Sequence, residues 1–289
     1  MIEDFSNLVQ MFPQAVVAGL VIATVCSLLG VFVILKRVVF IGITLAQVAA
    51  CGVAAGMVFG FHSFLGATVL TLATVALLSC PFEAKRIPRD SVLGVIFVFA
   101  SALSILLVAK SGFGLHKVKN LLYGDLILTG NQDLVIILAV LVPVLVYVLG
   151  FLRPTVHTFV DREAAKVLGL RVTLWELLFF FALGLAVSAA SRVAGALLVF
   201  CFLVVTPSLG LLLSRRLAVV MTLSVAGGVL STVAGLYLSF TRDLPTNHSV
   251  AITACGLFLL AVCWRLVRSV ITALRYRFGH TRRSSSGQT

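Results

Sequence analysis

The amino-acid sequence predicts an all-α protein, a polytopic bundle of eight or nine transmembrane helices forming a single membrane domain. Three observations predict it. Of 289 residues, 61% are hydrophobic and 11% charged, with a mean hydropathy of +1.16, whereas soluble domains are roughly 45–50% apolar and about 25% charged. The apolar residues fall into runs of about 20, the length that crosses a bilayer as a helix. The basic residues punctuate these runs instead of clustering on one solvated face, as nucleic-acid binding requires. The net charge of +12 therefore reports membrane topology, and no nucleic-acid partner is expected. Nine such helices consume about 180 residues, which leaves no room for a soluble catalytic domain.

Residues 1–14 hold Glu3 and Asp4 but no basic residue, so they lack the positive n-region of a cleaved signal peptide and are expected to stay attached. The first span, 15–35, places Ala15, Gly19, Ala23 and Ser27 four residues apart on one face, and the second, 38–60, does the same with Gly52, Gly56 and Gly60. Small residues let helices in lipid approach closely, where hydrophobic expulsion is missing. Spans at 62–81, 91–109 and 133–152 follow, the last containing Pro143. Between 173–190 and 193–213 only Ser191 and Arg192 intervene, which leaves the count at eight or nine. Pro207 breaks the helical ladder of the later span. The spans 217–240 and 249–267 close the bundle; the former carries Ser224, Gly228 and Thr232 on one face, with Ser231, Gly235 and Ser239 beside them. Residues 1–268 thus form one domain, and 269–289, basic and ending in TRRSSSGQT, read as a disordered cytoplasmic tail.

Charge sets the orientation. With the N-terminus outside, the inner connections collect Lys36, Arg37, Lys85, Arg86, Arg89, Arg153, Arg162, Lys166, Arg171, Arg215 and Arg216, and the C-terminal segment adds six arginines. Only Lys110, Lys117, Lys119, Arg192 and Arg242 fall outside. Positive residues favour the cytoplasmic side, so an outer N-terminus and an inner C-terminus are expected. Trp175, Trp264 and Tyr276 near inner boundaries, with Tyr123 and Tyr237 near outer ones, read as interface anchors.

Candidate chemistry is sparse. The ten acidic residues avoid the spans except Glu176, near the start of one; a proton-driven carrier needs an intramembrane carboxylate. The five histidines form no HExxH pattern, and neither a GxSxG elbow nor a GxxxxGK[ST] phosphate loop is present. The six cysteines form no CxxC pair and read as small buried hydrophobes. No enzyme activity and no cofactor are expected in this chain, so any energy source belongs to a partner. The long inner connection, 153–172, reads RPTVHTFVDREAAKVLGLRV. Within it, Asp161 to Leu168 suits a short amphipathic helix, with acids at its start, Lys166 near its end and Gly169 as a stop.

Several stretches together resemble the permease subunit of the zinc, manganese and iron ABC importers, the ABC-3 family. They are GLVIATVCSLLGVFVILKRVVFIG at 19–42, RDSVLGVIFVFASALSILLV at 89–108, NLLYGDLI at 120–127, DREAAKVLGL at 161–170, GALLVFCFLVVTP at 195–207 and AGLYLSFTRDLPT at 234–246. The resemblance covers nearly the whole chain. It implies a permease of the bacterial inner membrane paired with a second copy, a cytoplasmic ABC ATPase that binds ATP, and an extracytoplasmic substrate-binding protein. It also implies that Asp161, Glu163, Ala164 and Gly169 couple the permease to the ATPase.

One departure bears on cargo. After the glycine of the second span the family resembles Gly-Asp-Ala-Leu-Ser-His, its Asp and His facing the metal path; here the run is Gly42, Ile43, Thr44, Leu45, Ala46, Gln47. A neutral amide is a weak ligand for zinc or manganese, and isoleucine is none. Gln47 and Cys51 share a helix face with Thr44 one turn earlier, so a polar stripe survives that serves either as pathway and metal site or as packing. Three readings follow: a permease for a divalent transition metal or its chelate, the same architecture carrying a different cargo such as a corrinoid, and a non-transporting membrane scaffold.

Overall fold

A computed structural model describes residues 11–79, 89–110, 124, 126–160, 162–167, 169 and 171–285. The described elements are helical: α1 (Pro13–Leu35), α2 (Val39–Phe59), α3 (Ser63–Ser79), α4 (Arg89–Lys110), a 3-10 turn (Leu126–Leu128), α5 (Asn131–Gly150), α6 (Leu152–Val160), α7 (Arg162–Val167), α8 (Val172–Leu213), α9 (Leu217–Arg242) and α10 (Thr246–Ser285). Among the described residues, seven helices are long and apolar enough to cross a membrane, and the shorter apolar stretch Ser63–Leu78 adds another.

At 42 residues, α8 would measure about 63 Å as a straight rod, twice the hydrocarbon core of about 30 Å. It is in fact two antiparallel limbs. Glu176 pairs with Lys36 at the C-terminal end of α1, while Thr206 Oγ1 lies 2.7 Å from Ser27 Oγ in the same helix. Lys36 and Ser27 are about 14 Å apart along α1, yet Glu176 and Thr206 would be about 45 Å apart in a continuous helix. The chain therefore reverses between them, at Gly195, whose φ of 69° and ψ of 165° are non-helical. Nine apolar limbs result among the described residues. The reversal falls after Ser191 and Arg192, the residues from which the sequence placed it. Both stay helical: Ser191 Oγ lies 3.5 Å from the Ser188 carbonyl, and Arg192 pairs through Nη2 with Asp133 of α5 at 2.7 Å.

The small-residue stripes do their expected work in all but one place. Gly19 faces Thr232, and a Cβ there would sit 3.0 Å from its methyl group; one at Gly228 would sit 2.5 Å from Ser27 Oγ, so α1 and α9 meet stripe to stripe. Gly52 lies on the Gly66–Ala67 backbone of α3, and Gly235 on Val250 of α10. Gly60 instead ends α2 in the left-handed region, at φ 75°, where glycine carries no steric cost. Pro207 removes the N–H that the Leu203 carbonyl would otherwise accept. That carbonyl lies against Gly30, where a Cβ would overlap it and sit 2.6 Å from Pro207 Cγ.

Helices α1 and α2 are buried nearly all round, whereas α4, α5 and α10 present large apolar side chains outward. These outward side chains include Val95, Phe99, Val135, Val146, Leu259 and Leu260, as a lipid-facing surface requires. Cys26, Cys51 and Cys201 are buried, but Cys255 and Cys263 are exposed, which corrects for those two the reading of the cysteines as buried; Cys80 lies outside the described residues. Two further differences concern the connections. The inner connection is helical before Asp161 as well as after it: α6 begins at Leu152 and accepts Pro154 because the first turn needs no donor there. Helical backbone continues from α10 to Ser285, where the sequence suggests a disordered tail over 269–289.

Candidate functional site

Two places combine the residues that sequence analysis singled out. The first is the face of α2 carrying Thr44, Gln47 and Cys51. Thr44 is fully buried, and its Oγ1 lies 2.9 Å from the Phe40 carbonyl and 3.2 Å from the Leu93 carbonyl of α4. That hydroxyl is spent on holding α2 to α4. Cys51 sits in an apolar cluster with Val48 and Ala100, bordered by Ile96, Leu103 and Leu107. Gln47 differs: it is 6% exposed, and its Nε2 finds no hydrogen-bond partner among the described residues. A buried amide donor left unmet costs about 1–3 kcal/mol, so Gln47 is the member of the stripe with unused binding capacity. Phe40, one helical turn before Thr44, is exposed, and Ile43 is half-buried, so this face opens outward at the N-terminal end of α2.

No cluster of three or more His, Cys, Asp or Glu occurs among the described residues. Gln47 and Cys51 share a helix face, and among the described residues no such cluster forms around them.

The second place is the inner connection. Asp161 lies outside the described residues. Glu163 and Ala164, in the first half of α7, are exposed, while Ala165 is fully buried and anchors the helix to the bundle. Val167 is 88% exposed, more than any other large hydrophobic side chain among the described residues. Gly169 follows at φ 74° with open space around it, which turns the chain back toward α8. Sequence reading passed over Val167; the signal was an apolar residue three positions after Ala164 on a helix too short to bury two faces. Glu163, Ala164, Lys166 and Val167 make a small exposed surface of mixed polarity.

At the opposite end, three of the quoted stretches meet. Asn247 Nδ2 donates to the Ala194 carbonyl at 2.9 Å, and Asn247 Oδ1 accepts from the Leu126 N–H at 3.3 Å. Gly124, at φ 61°, packs its backbone on the Gly195 reversal. Gly124 and Leu126, Ala194 and Gly195, and Asn247, in or beside three of those stretches, thus converge on one turn.

The bundle defines a multi-pass membrane protein built for close helix packing. Its family is established by the match of the ABC 3 transport family over residues 8–265; the chain belongs to that family and is a membrane permease, not an enzyme. It is similar to the manganese transport system membrane protein MntC of Halalkalibacterium halodurans, at 28% identity over 90% of this chain and 89% of that one. It is also similar to the high-affinity zinc uptake system membrane protein ZnuB of Haemophilus influenzae, at 25% identity over 87% and 96%. Among solved structures the fold matches PsaBC from Streptococcus pneumoniae in complex with Fab, with a TM-score of 0.81 at 24% identity, covering 90% of this chain and 95% of that one.

Proposed function

We propose that this chain is the membrane permease of an ATP-driven importer for a divalent transition metal, manganese or zinc, taken as the ion or as a chelate. The observation that carries this reading is the family match across the bundle, with relatives named for manganese and zinc transport. The permease works as two copies in the bacterial inner membrane, its N-terminus outside and its C-terminus inside. A cytoplasmic ABC ATPase docks on α7, and an extracytoplasmic binding protein delivers the cargo. Asp161, Glu163, Ala164 and Gly169 form the coupling segment, with Val167 at its tip. ATP-driven closure of the partner moves α7 and biases the bundle between outward-open and inward-open states.

Ile43 and Gln47 favour a cargo whose ligands come along with it. An amide donates a hydrogen bond through nitrogen and binds transition metals weakly through oxygen, so Gln47 suits the oxygen acceptors of a chelate better than a bare ion. Proteoliposomes holding permease, ATPase and binding protein test both points. Uptake of labelled manganese or zinc is expected to require ATP hydrolysis, and competition between free and chelated metal identifies the form carried. Uptake that continues without the ATPase contradicts the proposal.

A further inference from the structure

Besides Ala165, a cluster around Phe159 joins the neighbourhood of the coupling segment to the bundle. Phe159, on α6 just before the segment, is 8% exposed. Its ring stands 4.8 Å from Phe179 of α8 and 6.0 Å from Phe32 of α1, and Phe32 and Phe179 are 5.7 Å apart, centroid to centroid. Lys36 Nζ lies 5.2 Å from the centre of the Phe159 ring and forms an ion pair with Glu176, both side chains largely buried at 20% and 16% exposure. Charge placement agrees with the helix ends. Lys36 caps the C-terminus of α1 and Glu176 lies in the second turn of α8, so each charge sits near the helix pole of opposite sign. One ammonium group therefore ties together the coupling side, through Phe159, and the first limb of α8, through Glu176, at the end of α1. Six residues back along α1, Gly30 presses on the carbonyl that Pro207 frees in the second limb.

We infer that Lys36, Glu176 and Phe159 are positioning residues through which displacement of α7 reaches α1 and both limbs of α8. This rests on the proposed coupling of α7 to an ATPase. A cation held by a ring face and a carboxylate resists sliding of either partner, and the three elements then move as one body about the Gly30–Pro207 contact. An ion pair serving only to stabilise the bundle would not link hydrolysis to transport.

The test uses the complete complex in proteoliposomes and reads cargo moved per ATP hydrolysed. In Lys36→Met and Glu176→Gln, ATPase binding and hydrolysis are expected to persist while this ratio falls about fivefold or more, the lower end for coupling between distant sites. Lys36→Arg, which keeps a cation over the Phe159 ring and beside Glu176, is expected to retain a large part of it. If the single variants fail to assemble, Phe159→Leu, which keeps the ion pair, carries the same expectation of a lowered ratio. A ratio unchanged in Lys36→Met, Glu176→Gln or Phe159→Leu where these assemble, or one no higher in Lys36→Arg than in Lys36→Met, overturns the inference. A wild-type complex that moves no cargo overturns the proposed function together with it, so the two failures are distinguishable.

Discussion

Gly30 shows how much a single position holds. Its lack of a side chain lets α1 lie on the Leu203 carbonyl and the Pro207 ring, so a proline break and a glycine face form one joint. Even a methyl group here overlaps backbone that cannot rotate away. Gly30→Ala is therefore expected to destabilise the permease by about 1–3 kcal/mol, the range for overpacking a filled core, measured as a lowered unfolding midpoint in detergent. An unchanged midpoint would show that the two helices are not in this contact. Much of the quoted stretch at 19–42 becomes intelligible in these terms: Gly19, Gly30 and Gly42 each meet a neighbouring helix within 3.1 Å of where a Cβ would stand. Four-residue spacing made the Gly19 stripe readable in the sequence. Gly30 and Gly42 belong to no such repeat, and their reason lies in the helices opposite. Gln47 was singled out because of what it replaces; that its amide nitrogen is buried and unmet required the fold.

At the scale of elements, polarity misplaced one boundary. Ser191 and Arg192 interrupt an apolar run, and interruption ordinarily marks a loop. Here the serine turns back on its own helix, and the arginine finds Asp133 across the bundle, so the chain stays helical until Gly195 supplies a conformation that other residues resist. Asn247 then ties this turn to α10 and to the Leu126 turn. Span number was thus legible to within one, but the reversal point depended on a partner 59 residues away. The inner connection was read correctly as holding a short helix after Asp161 and missed as to α6, where Pro154 in the first turn resembles a loop signal. In α7, buried Ala165 holds the helix while Val167 projects outward, so fold and docking separate cleanly. Val167→Asp is expected to leave thermal stability within about 0.5 kcal/mol, as exposed substitutions usually do, and to abolish co-purification of the ATPase. Retained co-purification would move the docking surface away from α7.

Taken whole, the molecule divides into a packed centre and a lipid-facing rim. Helices α1 and α2 carry the small residues and the polar stripe, and α4, α5 and α10 carry the large exposed aliphatics. The two ion pairs described lie at opposite ends of the first limb of α8: Glu176 to α1 at one end and Arg192 to α5 at the other. Sixteen residues, about 24 Å, separate Glu176 from Arg192, close to the thickness of the hydrocarbon core. Charges placed at that spacing sit at the two membrane surfaces, where solvation keeps their cost low. In the orientation proposed above, the Glu176 end, and with it α7, faces the cytoplasm.

Driving from the cytoplasmic side is the claim on which the proposed transport cycle depends, and the location of α7 tests it most directly. A cysteine placed at Val167, in a chain whose native cysteines are replaced by serine or alanine, is exposed to a membrane-impermeant maleimide. Labelling is expected in inside-out vesicles and not in intact spheroplasts; labelling in intact spheroplasts would put α7 outside the cell, beyond reach of any cytoplasmic ATPase, and contradict the account.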